Sequence, residues 1–189
     1  MDCSKITQGL QAVNCAQPAI AGTNPRVILL NYADIDRKLS VVTNNVISDL
    51  ISNSKGFEFE SLDNSAVGTS TFTKGTYFSN WQQDLVLRIF TKNELAKKFV
   101  NSLNGARVVA VVENKESGPD GQVKYEAYGW DAGLELNEAT STTEMADLVV
   151  YQLTLGSGEI SKESSLPKSV FKIDLEQTET MLNSLVNAA

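Results

Sequence analysis

The residues able to do chemistry in this chain are few. It contains no histidine, which excludes Ser-His-Asp and Cys-His nucleophilic arrangements and every histidine-bearing zinc site. A Ser-Lys dyad is the remaining nucleophilic option, and Ser4-Lys5 and Ser161-Lys162 are the pairs that come to hand. Adjacent positions on a strand face opposite sides, so neither pair converges unless the backbone bends. Cys3 and Cys15 are too few to complete a thiolate zinc site. They read as free thiols in a reducing compartment or as a pair stapling only the start of the chain.

The carboxylates offer two constellations. Glu58 and Glu60 alternate along a strand-like stretch, which puts them on one face about 7 Å apart, within the range glycosidases use. Alternating acids on an exposed ribbon more commonly guard a sheet edge. Asp34-Ile35-Asp36 lacks the glycine and terminal glutamate of an EF-hand loop, so calcium is not expected. Gly156-Ser157-Gly158 follows a strand but no capped apolar helix comes after it, so the dinucleotide fingerprint fails. Gly129-Trp130-Asp131-Ala132-Gly133 reads as a turn with a core or interface tryptophan, the alternative being a ligand platform. No catalytic, cofactor-binding or metal-binding residue is assigned, and no enzymatic activity is expected.

The elements that would position these residues are mostly strands. Apolar residues make up 42% of the 189 and charged residues 21%, enough for one core without metal or disulfide. Strands are expected at 27–31, 46–51 (ambiguous with a short helix), 84–90, 107–113, 122–129 and 147–155. Gly118-Pro119-Asp120-Gly121 should turn the fifth of these back on the fourth. The segment Phe57–Tyr77 reads as one long hairpin arm, with Asp63–Gly68 as its polar tip and Ser61 on its first strand. The polar stretches 137–144 (NEATSTTE) and 156–165 are expected as exposed loops.

Two helices carry start signals. Thr91-Lys92-Asn93-Glu94 matches a capping box, followed by an apolar stripe of Leu95, Phe99, Val100 and Leu103 and by Gly105 at the C-cap. Asp174-x-x-Gln177 opens a C-terminal helix with Leu175, Thr178, Leu182, Leu185 and Val186 on one face. A short helix near 4–12 completes the set. The fold class is therefore mainly β (α+β): an antiparallel β-sandwich or barrel with one flanking helix, a long hairpin arm and a C-terminal helix. The division expected is an N-terminal segment over 1–40, a candidate interaction arm, then a β-rich domain over 41–172 and the C-terminal helix over 173–189.

Charge narrows the partners. The formal net charge is −7 and the sixteen Lys and Arg are scattered, so a phosphate-gripping surface is not expected. No signal peptide is read in MDCSKITQGLQ, and no apolar run approaches the ~18 residues of a membrane span. No membrane partner and no cofactor are expected.

The order of elements resembles that of phage tail-tube proteins and the related neck (connector) rings. The arm at Phe57–Tyr77, the helix at Thr91–Gly105 and the following hairpin at Arg107–Gly129 carry the resemblance, over roughly residues 40–155. The run from Val123 to Leu134 (VKYEAYGWDAGL) is similar in wording to proteins encoded by phages of gut Bacteroidetes. The resemblance implies a virion protein, assembled in the host cytoplasm into a homo-oligomeric ring beside other tail, neck or portal proteins. DNA would pass through such a ring without specific binding. The alternative is a monomeric β-sandwich binding module for carbohydrate or protein, with Tyr77, Phe78 and Trp81 as its contact surface.

Overall fold

The computed structural model describes residues 21–60, 62–75, 79–142, 149–158 and 162–187. Cys3, Cys15, Ser4-Lys5, the helix expected near 4–12, Ser61, Tyr77, Phe78, Asp147 and Ser161 lie outside them. The strands are β1 (Thr23–Asn31), β2 (Val41–Thr43), β3 (Val46–Asp49), β4 (Phe57–Glu60), β5 (Ala66–Lys74), β6 (Ser79–Ile89), β7 (Arg107–Asn114), β8 (Tyr125–Tyr128), β9 (Leu134–Ser141), β10 (Tyr151–Gly156) and β11 (Lys168–Val170). The helices are α1 (Glu94–Ser102) and α2 (Leu175–Asn187). Among the described residues the fold is mainly β, with the flanking and C-terminal helices expected.

Among the described residues, eleven strands belong to one sheet, in the order β2-β3-β11-β8-β7-β9-β10-β6-β5, with β1 pairing both β7 and β4. Every pairing is antiparallel except β3 with β11. The sheet rolls over on itself. Thr23 Oγ1 at the start of β1 donates to the Ala66 carbonyl of β5, and Gly68 of β5 lies against the Tyr128 ring of β8. Both contacts join β5, at one end of the hydrogen-bonded path, to strands near its middle, so that end of the sheet folds over β1 and β8.

Alternation along the inner strands then produces two cores. Val27 and Leu29 of β1 with Val108, Ala110 and Val112 of β7 meet Leu85 and Leu87 of β6 and Leu153 and Leu155 of β10 inside the roll. Ile28 and Leu30 with Val109 and Val111 face the other way, onto Met181, Leu182 and Leu185 of α2. Strands β1 and β7 are thus buried on both faces, which explains why they read as continuous aliphatic runs. Since β1 is an inner strand, residues 23–31 belong to the core and are not an appended arm; α2 likewise packs on the shared sheet.

Several local expectations are corrected. Strand β4 pairs with β1 and β5 with β6, so Phe57–Tyr77 is not one hairpin. Phe59, 8% exposed, stacks on Phe99 of α1, which draws β4 onto the body. The stretch read as a polar tip instead crosses the molecule, with Ser65 and Ala66 buried. The long hairpin is β5–β6. Residues 137–141 extend β9 rather than forming a loop, because cross-strand pairing with β10 compensates for polar side chains.

Helix α1 begins at its Asn93 cap, whose Oδ1 accepts from the Ala96 amide at 2.7 Å. Thr91 does not cap it, and Glu94 pairs with Lys98 at 2.7 Å instead of reaching back. The buried stripe is correspondingly Ala96, Phe99, Val100 and Leu103, while Leu95 is 74% exposed. Helix α2 follows expectation more closely: Asp174 Oδ1 accepts from the Gln177 amide at 2.7 Å, and Thr178 and Leu182 are fully buried. The Gln177 side chain donates to the Asp174 carboxylate rather than closing a reciprocal box.

Candidate functional site

The densest polar construction surrounds the turn Gly129–Gly133, which joins β8 to β9. Its glycines stand at φ +75° and +77°, a region where a side chain is strained, and the Gly133 amide donates to the Gly129 carbonyl at 2.9 Å. Nearly every other backbone group of the turn is held by a side chain from elsewhere. Gln83 Oε1 accepts from the Gly129 amide at 2.9 Å. The two carboxylate oxygens of Glu163 accept from the Asp131 and Ala132 amides at 2.8 and 2.7 Å.

The carbonyls on the opposite side are met by three donors. Arg37 Nη2 donates to Trp130 O at 2.6 Å, Tyr32 Oη to Asp131 O at 2.5 Å and Arg107 Nε to Ala132 O at 2.5 Å. The Arg37 and Arg107 guanidinium carbons also lie 4.2 and 4.3 Å from the centre of the Tyr32 ring, a cation–π arrangement. Trp130 is buried against the α2 side of the sheet, so it serves as core with its backbone clamped, not as an open ligand platform.

Glu163 is the unusual member. It is 1% exposed, and burial pushes its carboxyl above the ordinary value against the opposing pull of the Asp131 and Ala132 amides; the Asp131 charge adds to the rise and Lys168 opposes it. Its backbone exchanges hydrogen bonds with Trp81, at 2.9 and 3.0 Å. One residue therefore fastens the 129–133 turn through its side chain and, through its main chain, β6 at Trp81, toward the turn end of the β5–β6 hairpin. The described parts of the stretch 156–165, namely 156–158 and 162–165, are consequently not a free polar loop, since Ser157 too is 1% exposed and holds the Gln83 amide through its hydroxyl at 3.1 Å.

A serine and a lysine do converge nearby, at a spacing not considered from sequence. Lys168 Nζ donates to Ser165 Oγ at 3.1 Å and stands 3.7 Å from Asp131. Paired with the Asp131 carboxylate, the lysine tethers the Ser165 hydroxyl and is not the unpaired amine that a Ser-Lys dyad needs. The Ser165-x-x-Lys168 spacing is legible in the sequence, but Asp131, which pairs with the lysine, lies on a different stretch of the chain.

The remaining sequence candidates are placed as follows. Arg26 Nε sits 2.5 Å from Glu58 Oε1, so β1 supplies a cation to the first of the two strand carboxylates. Asp34 accepts from Ser54 Oγ and Asn31 Nδ2 at 2.5 and 3.1 Å, bonds that lower its pKa, the Ser54 bond most. Asp36 Oδ1 accepts the Lys38 and Leu39 amides as an Asx-type turn. No group of three metal-ligating side chains gathers among the described residues. Trp81 packs on Phe72 across the β5–β6 hairpin, ring centres 5.4 Å apart. A groove of about 590 Å³ runs between the segment 49–54 and α2, over Leu50, Met181 and Leu185. Among the described residues no helix is long and apolar enough to cross a membrane.

No protein family, curated protein or solved structure matches this chain.

Proposed function

We propose that the chain is a structural subunit that assembles head to tail into a ring of a phage tail tube or head–tail neck, and that it is not an enzyme acting on a separate substrate. The observation that carries this reading is the contrast among the strands at the margins of the sheet. Strands β2 and β5 end the hydrogen-bonded path, and β4 borders it beside β1. An exposed edge is a template for pairing with another chain unless charges guard it. Strand β4 carries Glu58 and Glu60; β2 (VVT) carries no charge, and β5 carries only Lys74 at its end.

Apolar side chains accompany both unguarded edges. Leu39, Val41, Val42 and Val46 are 61, 49, 37 and 37% exposed around β2, and Phe72 is 53% exposed on β5. Two unlike edges favour heterologous contacts, which close into rings when the rotation allows. A net charge of −7 suits a passage that DNA must traverse without sticking.

The test is light scattering across a concentration series, with negative-stain images of the same samples. Rings or short tubes are expected. A chain that remains a monomer at every concentration, alone and with phage neck or tail extract, would count against the reading.

A further inference from the structure

Asn24 of β1 and Lys124, the residue before β8, both reach the carboxylate of Glu113 of β7, although a hundred positions separate them. Glu113 Oε1 accepts from Asn24 Nδ2 at 2.7 Å and stands 3.5 Å from Lys124 Nζ. The Glu113 and Lys124 side chains are only 14 and 20% exposed. An amide, an amine and a carboxyl group around one sheltered point form the set needed for amide exchange: nucleophile, acceptor and proton carrier.

We propose that Lys124 and Asn24 join in an autocatalytic side-chain isopeptide bond, with Glu113 as the catalytic proton carrier. Lys124 passes an ammonium proton to the Glu113 carboxylate. The neutral Nζ attacks Asn24 Cγ, forming the new C–N bond, while the Glu113 proton moves to the carbonyl oxygen. Collapse restores C=O and breaks the Cγ–Nδ2 bond. The departing nitrogen takes the remaining protons through Glu113 and leaves as ammonium. Nothing is oxidised or reduced, and no co-reactant is consumed.

Glu179 of α2 restrains the reaction. Its Oε1 lies 2.8 Å from Lys124 Nζ. Burial alone would lower the Lys124 pKa, but the Glu179 hydrogen bond and the charges of Tyr125, Glu113 and Glu179 outweigh it and raise the value. The amine is therefore protonated at rest and the cross-link forms slowly. Removing the Glu179 charge frees it.

The experiment is intact-mass analysis of the purified full chain over days at neutral pH, followed by tandem mass spectrometry of its peptides. A growing fraction about 17 Da lighter, the mass of ammonia, is expected, with a branched peptide joining Asn24 to Lys124. Glu179→Gln should accelerate the loss several-fold; Glu113→Gln and Lys124→Arg should abolish it. Circular dichroism confirms that each variant is folded. Full mass in both folded wild type and folded Glu179→Gln overturns the proposal. So does a loss that persists in Lys124→Arg, or that maps elsewhere, such as succinimide formation at Asn104-Gly105.

Discussion

At the residue scale, Glu163 and Gly68 show how much rests on single side chains. Glu163 satisfies two amides, one of them buried, with two carboxylate oxygens; a glutamine offers only one acceptor. Glu163→Gln should therefore cost about 1–3 kcal/mol at neutral pH, since one donor loses its partner. The substitution also changes the pH response. A carboxyl whose folded pKa is raised contributes stability that is complete below its unfolded value, here 4.5, and is lost as pH climbs through the folded value. Urea midpoints measured from about pH 4 to about pH 8 should decline in wild type by this contribution and lack it in the variant. Parallel curves for the two proteins would refute the assignment. Gly68 makes a simpler case. A Cβ there would meet the Tyr128 ring at 2.3 Å, so Gly68→Ala should cost roughly 1–3 kcal/mol by overpacking, read as a lower thermal midpoint.

At the element scale, α1 separates two cap assignments that the sequence leaves adjacent. Asn93→Ala removes the hydrogen bond to the Ala96 amide and should destabilise by about 1 kcal/mol. Thr91→Ala should change stability by no more than about 0.5 kcal/mol. Chemical denaturation of both variants decides it, and a larger loss at Thr91 would restore the original box. The same helix shows why stripes read from sequence rotate. Leu95 and Ala96 are neighbours; hydrophobicity favours burying the leucine, yet Phe99 stacks on Phe59 of β4, and that contact sets the helix rotation. Leu95 turns to solvent as a result. Strand pairing follows a similar logic. Phe57–Glu60 and Ala66–Lys74 look like two halves of a hairpin because they are consecutive. β4 instead closes on β1, where its one buried side chain, Phe59, can stack on Phe99 of α1.

At the scale of the whole molecule, the proposed assembly rests on unlike edges, and that makes it separable. Val42→Lys places a charge on β2, and Thr71→Lys places one on the exposed half of β5. Each variant alone should fail to build rings, because heterologous contacts need one intact edge of each kind. An equal mixture should yield dimers and nothing larger, joined through the two intact edges. Mass photometry of the three samples reads this directly. Rings that persist in both single variants would move the interface elsewhere on the surface.

The sequence by itself determined the β-rich class, both helices to within a few residues, and the two inner strands β1 and β7 as aliphatic runs. It could do so because burial on both faces leaves a local signature, and caps and turns act over three or four residues. It also held the Gly129–Gly133 turn and its tryptophan, though not what surrounds them. Only the tertiary structure decided which strands pair and what meets that turn. Gln83, Glu163, Arg37, Tyr32 and Arg107 come from four separate stretches of the chain, and no spacing rule links them. The Asn24, Glu113 and Lys124 cluster has the same origin. Pairings across a rolled sheet are chosen by the fit of side chains distant in sequence, such as Phe59 with Phe99 and Gly68 with Tyr128, and those contacts exist only once the sheet has closed.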